Sequence, residues 1–388
     1  MVNISKHRTN TVFLLSALVY LAGCQTSAVS VQPTHHAPDC TRPLAMAADV
    51  LTSPSGVKRT RGEIEAFIQE RMIDLNVPGA SIAIIEDGEL AYHLATGVSD
   101  VESGAPVTGC TLFQGASITK PLFGYFVMTF VEEGLLDLDR PLHEYLPYPA
   151  IETDERYKQI TARMALTHQT GFPNWRTDFP DNKLFIQFDP GTGFEYSGEG
   201  YQYLALVLQE IAGVDAQGLE ALFQERVAKP AGQYQTQIVP GEDIFQRTAK
   251  PHRAGRLVQA RSTQPFANFG AAYGVHSEAR DFSKWMISLL NQEGLSEEAY
   301  ETYFTPQDVP ISETSPDRQS GLIDYALGFA IYESPFGNVY AHGGNNPGYT
   351  SFIMLDRAHR WGLVIFTNNN QANTFWLDLI LFLALPSE

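Results

Sequence analysis

The 388-residue chain has little cysteine, little positive charge and no long apolar run. Each shortage excludes something. With 3 cysteines it cannot be a disulfide-dense scaffold. None of them stands with histidines at metal-ligand spacing, His35-His36 lies in a polar stretch, and H-E-x-x-H is absent. No metal or other cofactor is therefore expected. With 26 Lys and Arg against 44 Asp and Glu, the formal charge is −18. Such a chain repels phosphate backbones, which excludes nucleic acid as a partner. No stretch reaches the ~18 uncharged apolar residues of a membrane span. Internal repeats of about 20–50 residues are missing. So is G-x-S-x-G, which disfavours an α/β-hydrolase. The rest is ordinary for a globular protein, with 44% hydrophobic and 18% charged residues.

The first segment reads as an address. Met1 to Gly23 carries Lys6 and Arg8, no acid, and an apolar run from Val12 to Ala22. That is the layout of a secretory signal. It ends Leu21-Ala22-Gly23-Cys24, which resembles the lipobox of bacterial lipoproteins. The resemblance implies cleavage after residue 23 and a lipid on Cys24. It places the protein in the cell envelope. Gln25 after the cysteine favours the outer membrane, facing the periplasm. Losing Lys6 and Arg8 takes the formal charge from −18 to −20. Cys40 and Cys110 then either form one disulfide or stay as two free thiols.

From Gln25 to about Ser55 the chain is rich in Ser, Thr, Pro and Ala, and residues 24–58 are expected to be a flexible tether. A helix is expected from near Arg61, where Ile64, Phe67, Ile68, Met72 and Leu75 recur at helical spacing. Ala80 to Ile85 and Glu89 to Leu94 flank Asp87-Gly88, a strong hairpin signal. Strands return late, at Tyr325 to Tyr332, Asn338 to His342, Tyr349 to Asp356 and Trp361 to Thr367. An apolar helix, Ala372 to Leu385, follows. Between them the pattern is mostly helical. Leu122 to Val131 stops at Gly134, Tyr201 to Ile211 stops at Gly213, and Ser277 is placed to cap another helix. The pattern predicts an α+β domain over residues 59–388, with an antiparallel sheet built from both ends. An all-helical insert occupies about 115–320, and ligand sites commonly lie in a groove between two such parts.

Ser-x-x-Lys occurs twice. Ser55 to Lys58 lies in the polar stretch with no apolar helix behind it, whereas Ser117 to Lys120 opens the apolar run. Proline is tolerated in a helix only in the first turn, so Pro121 pins the helix start close to Ser117. The hydroxyl then sits at the positive end of the helix dipole, beside unpaired N–H groups. At a spacing of three, Ser117 and Lys120 share a face, with Cβ atoms about 5–6 Å apart. Lys120 is the one charge between Glu102 and Glu132, which suggests apolar surroundings. There its pKa falls and its amine can take the serine proton.

These residues resemble the first motif of the serine β-lactamase and penicillin-binding protein superfamily, in its class C-like branch. Val77 to Ala80, Thr111 to Phe113, Glu132 to Leu135, Tyr145 to Pro147 and Ala165 to Gly171 agree with that family in order. The likeness spans roughly residues 60 to 370 and implies a β-lactamase/DD-peptidase-like fold. The family's Tyr-x-Asn motif reads Tyr196-Ser197-Gly198 here, so the tyrosine is kept and the asparagine is not. The resemblance implies that Tyr196 shuttles protons beside Ser117 and Lys120, as a phenolate next to the ammonium. It also implies that His342-Gly343-Gly344 is the third motif. Ser117 N–H and Asn345 N–H would then form the oxyanion hole beside Gly344. His342 would face a substrate carboxylate or orient Tyr196. The expected function is a serine hydrolase working through a Ser117 acyl-enzyme on an ester, amide or lactam, from a small-molecule or peptidoglycan-like substrate. Gly198 argues for a weak β-lactamase, although Glu199 could replace the lost contact to Lys120 if it turned inward. The alternative is an inactive peptidoglycan-binding or sensing lipoprotein.

Overall fold

The computed structural model describes residues 49–259, 268–334 and 336–386. The signal segment, Cys24 and Cys40 lie outside the described residues. Regular structure starts earlier than expected, with β1 (Val50–Thr52) paired antiparallel to β2 (Lys58–Thr60). The end of the stretch read as a tether is thus an ordered hairpin. Its partners lie over 320 positions away: Arg59 Nε and Nη2 donate to Phe382 O and Leu385 O at 3.0 and 2.6 Å. Composition cannot reveal such contacts. α1 (Arg61–Asp74) follows, opened by a reciprocal capping box between Thr60 and Glu63.

β3 (Gly79–Glu86), β4 (Glu89–Asp100) and β5 (Ala105–Pro106) come next, β3 and β4 turning through Asp87-Gly88 with positive φ at both residues. The middle of the chain holds α2 (Thr119–Glu132), α3 (Ala162–Leu166), α4 (Gly198–Ala212), α5 (Ala216–Phe223), α6 (Glu242–Arg247), α7 (Ala279–Leu290), α8 (Glu297–Phe304) and α9 (Pro316–Gln319). It is not all-helical. β6 (Phe113–Gln114) pairs with β9 (His276–Ser277), and β7 (His252–Arg253) with β8 (Arg256–Leu257). The chain ends with β10 (Leu322–Tyr325), β11 (Ala330–Ser334), β12 (Gly337–Asn346), β13 (Tyr349–Asp356), β14 (Trp361–Thr367) and α10 (Asn373–Ala384).

One antiparallel sheet runs β10-β11-β12-β13-β14-β3-β4-β5. Its late and early strands meet where β14 pairs with β3. Successive side chains of a strand point to opposite faces. On β3, Ala80, Ile82 and Ile84 pack towards α1 and α10, while Ala83 and Ile85 join the core under the helices of the middle segment. That is why β3 reads as a nearly continuous apolar run: both of its faces are covered.

Two local expectations are corrected. Tyr325 to Tyr332 is two strands, β10 and β11, because the Ala326–Phe329 turn packs over the start of α2. There Gly328 (φ +109) passes so close that a Cβ would lie 2.9 Å from Lys120 O. Glu278, not Ser277, caps α7, accepting from the N–H groups of Arg280 and Asp281 at 3.0 and 2.8 Å.

Candidate active site

Ser117 lies in a 3-10 turn, Ala116–Ile118, that leads straight into α2. Ala116 has φ +48, a left-handed conformation that a non-glycine residue adopts only when its surroundings hold it. Ser351 Oγ donates to Gly115 O at 2.5 Å and Thr119 Oγ1 to Ala116 O at 2.6 Å, which fixes this backbone. Pro121 falls in the first turn of α2, as expected.

Lys120 is 1% exposed, and its Nζ donates to Ser117 Oγ at 3.3 Å and to Ala272 O at 3.0 Å. Burial pushes the amine down to about 7. A large neutral fraction at neutral pH makes it a competent proton acceptor. The Nζ also lies 4.6 Å from the centroid of the Tyr196 ring. Tyr196 hydrogen-bonds Ser117 through its side chain, yet burial raises its phenol well above the usual range. Burial thus disfavours the expected phenolate, desolvation outweighing the hydrogen bond with Ser117, while the lowered amine of Lys120 gives up its proton more readily.

β12 brings the third motif alongside. A Cβ on Gly344 would collide with Gly115 O and Ser351 Oγ and lie 3.1 Å from Ser117 N, so only glycine permits this approach. Asn345 is exposed beside it, its Nδ2 donating to Asn370 O at 3.3 Å. His342 packs against Tyr196. It is 5% exposed, held down at about 3 by burial and then by Lys120, and its ring centroid stands 6.0 Å from that of Tyr196. Burial disfavours its charged form, and its place beside the Tyr196 ring fits the second of its two expected roles, orienting that tyrosine.

His168 is one letter of the Ala165–Gly171 motif, and nothing in the sequence singles it out. It is fully buried, and its ring centroid lies 4.4 Å from that of Tyr196. Its Nδ1 accepts from Ser197 N–H at 3.0 Å. That bond puts the remaining proton on Nε2, and burial holds the imidazole well below its usual range. Two neutral imidazoles thus flank the back of Tyr196.

Gly198 faces Trp175. A Cβ there would overlap the indole at Cζ2 and Cη2, so the ring fills the space an asparagine would need. Glu199 does not turn towards Lys120. Its carboxylate accepts from Arg176 N at 2.9 Å and pairs with the Arg176 guanidinium at 2.5 Å. The expected compensation from Glu199 is absent because that carboxylate is already held.

The resulting cleft, of about 300 Å³, is lined by Ser117, Asn174, Tyr196, Gly343, Gly344, Asn345, Ser351, Asn373 and Trp376. None of these described residues is charged. Asn373 and Trp376 come from α10, far along the chain, and only the fold could reveal them. Asn174 follows the Ala165–Gly171 motif, and no pattern marks it. Of the cysteines, Cys110 is disulfide-bonded.

A family model described as Beta-lactamase matches residues 64–385. Penicillin-binding protein 4* of Bacillus subtilis (strain 168) is 22% identical over 351 residues, covering 78% of this chain and 70% of that one. The octameric penicillin-binding protein homologue from Pyrococcus abyssi superposes with a TM-score of 0.69 at 24% identity, over 83% of this chain and 76% of its own. The D-amino acid amidase from Ochrobactrum anthropi SV3 gives a TM-score of 0.66 at 22% identity, over 82% and 98%. At these identities the structural likeness is one of fold.

Proposed function

The chain belongs to the Beta-lactamase family, and from that premise we propose that it is a serine hydrolase of uncharged esters and amides. One observation carries the reading: the Ser117 hydroxyl meets a buried, pKa-lowered amine on Lys120 and the hydroxyl of Tyr196. In this reading neutral Lys120 takes the proton of Ser117 Oγ as that oxygen attacks the substrate carbonyl. The N–H groups of Ser117 and Asn345 receive the oxyanion. As the intermediate collapses, the leaving oxygen or nitrogen takes a proton from Tyr196, which recovers one from Lys120. Water then attacks the acyl-Ser117 ester, losing a proton to neutral Lys120, which returns it to Ser117 Oγ as that oxygen leaves and the acid is released. The uncharged cleft wall and neutral His342 support uncharged substrates over those recognised by a carboxylate.

Gly198 supports a weak β-lactamase. A hydrogen bond lost there costs about 0.5–1.5 kcal/mol, and an ester has a better leaving group to offset it. The test compares kcat/KM for p-nitrophenyl butyrate and nitrocefin on one preparation, with Ser117→Ala as control. Efficient nitrocefin turnover with negligible esterase activity overturns the ester preference. Activity that survives in Ser117→Ala overturns the acyl-enzyme. The family likeness also supports uncharged D-amino acid esters and amides as substrates to screen. The lipobox-like run supports a lipid anchor on Cys24, with the enzyme held at the outer membrane. Globomycin should then accumulate a precursor in expressing cells, and a wholly soluble mature protein contradicts it.

A further inference from the structure

The outer face of α10 serves no purpose in the acyl-enzyme scheme. Leu377, Leu381 and Leu385 stand on it, and they are 43%, 45% and 55% exposed. Residues four apart are neighbours on a helix surface, so the three form one stripe. The inner face is already used: Phe375, Leu379 and Leu383 pack into the core with α1 and the sheet. The one charge of the helix, Asp378, is taken up by Arg71 of α1, whose Nε and Nη2 donate to it at 3.0 and 2.7 Å. What α10 offers to water is an apolar stripe with no free charge.

A groove of about 570 Å³ lies beside the stripe, between α1 and α10. Leu381 and Phe382 wall it, and its charges are mixed, Arg59 and Arg71 against Glu70 and Asp378. An apolar stripe beside mixed charges matches a zwitterionic phospholipid, whose acyl chains meet the leucines and whose headgroup carries both signs. A formal charge of −18 gives no attraction to an anionic lipid. With 12 residues, α10 is too short to cross a bilayer and can only lie on one.

The place where the chain enters the domain says what covers this face. The described residues begin at Asp49, directly before β1. The β1–β2 hairpin is fastened to the last turn of α10, Ser55 Oγ donating to Ala384 O at 2.7 Å and Arg59 Nε to Phe382 O at 3.0 Å. Cys24, the site of the proposed lipid, stands 25 positions before Asp49. The anchor therefore reaches the domain beside the exposed leucines. Tethering turns docking into an intramolecular step, so a face too weak to bind a bilayer unaided can still rest on it.

We propose that the outer face of α10 docks on a zwitterionic phospholipid surface, its axis along the bilayer and Leu377, Leu381 and Leu385 at the acyl-chain boundary. The inference rests on the lipid-anchor reading of Cys24. Asn373 and Trp376 of the same helix wall the cleft, so docking holds the cleft at a fixed place over the membrane.

Hydroxyl-radical footprinting of the lipidated full chain in phosphatidylcholine vesicles tests this. Leu135 and Leu257 are 44% and 39% exposed elsewhere on the domain, so in water they oxidise much as the stripe does. The expected result is oxidation of Leu377, Leu381 and Leu385 about tenfold slower than that of Leu135 and Leu257, at low and high salt alike. In Leu377→Gln/Leu385→Gln the shielding of Leu381 should vanish with the thermal midpoint maintained, because the apolar area that drives docking is gone. Equal oxidation of all these leucines, in wild-type protein that floats with the vesicles, overturns the inference and leaves the anchor standing. Shielding that disappears when the protein is diluted over many vesicles overturns it in favour of a second copy of the chain. Protein that does not float with the vesicles overturns the anchor reading, and this inference with it.

Discussion

Ser55 and Ser117 each stand three residues before a lysine, and the fold treats them differently. Ser55 sits in the turn of the β1–β2 hairpin, where its Oγ donates to Ala384 O at 2.7 Å and Lys58 is exposed. It fastens one end of the chain to the other. Ser117 sits at the mouth of α2, beside an amine that burial has brought down to about 7. The tetrapeptide supplies the same atoms in both places. What differs is the solvent around the lysine, since an amine kept in water stays protonated and cannot accept the proton of a hydroxyl. Burial, not the tetrapeptide, decides whether the amine can accept a proton.

The largest test of that contrast replaces each serine. Ser117→Ala should lower kcat by about 10⁴-fold or more, whereas Ser55→Ala should retain turnover. Equal losses would erase the distinction. Next in size is the lysine. Lys120→Met should cost about 10²–10⁴-fold in kcat/KM while raising the thermal midpoint, because it removes a buried amine from an apolar site. Loss of folding in this variant would contradict the account of Lys120 as a functional burden on stability.

The pH profile sharpens the same point. With its pKa lowered to about 7, Lys120 is active as the free amine, so kcat/KM should rise with pH through about 7. Stability should rise in the same direction between about 7 and the ordinary lysine value near 10.4, because the unfolded chain there holds the extra proton. A rate that climbs only near pH 10 would place Lys120 in water.

A smaller effect comes from the other wall. Gly198→Asn should destabilise by about 1–3 kcal/mol through overlap with Trp175, and Trp175→Ala should relieve much of that loss in the double variant. Additive losses in chemical denaturation would show that the indole is not the obstacle. The smallest effect is structural: Ser55→Ala should cost about 0.5–1.5 kcal/mol for the lost bond to Ala384, read from the shift in denaturation midpoint.

Much of this was legible in the sequence. The α2 start was marked by Pro121, the β3–β4 hairpin by Asp87-Gly88, and the Ser117–Lys120 face by helical spacing, because each signal is local. The Lys120 burial followed from the charge-free run around it. The burial of His342 and the persistence of the Tyr196 phenol did not follow, since both depend on what other elements pack over them. Asn174, Trp175, Asn373 and Trp376 carried no pattern, because their place in the cleft arises from tertiary contacts between distant segments. The partner of Glu199 did not follow either, as nothing in the sequence ties it to Arg176.

The arrangement of α10 has a consequence in time. Asn373 and Trp376, which line the cleft with Ser117, come from α10, far along the chain from it. The same holds for β14, whose pairing with β3 closes the centre of the sheet. A ribosome-bound chain that ends before these segments has Ser117 and Lys120 but neither the finished cleft nor the strand that joins the two parts of the sheet. Such long-range closure is slow compared with local helix formation. The cleft is therefore completed only when these distant segments meet, and a variant lacking α10 would lose a wall of it.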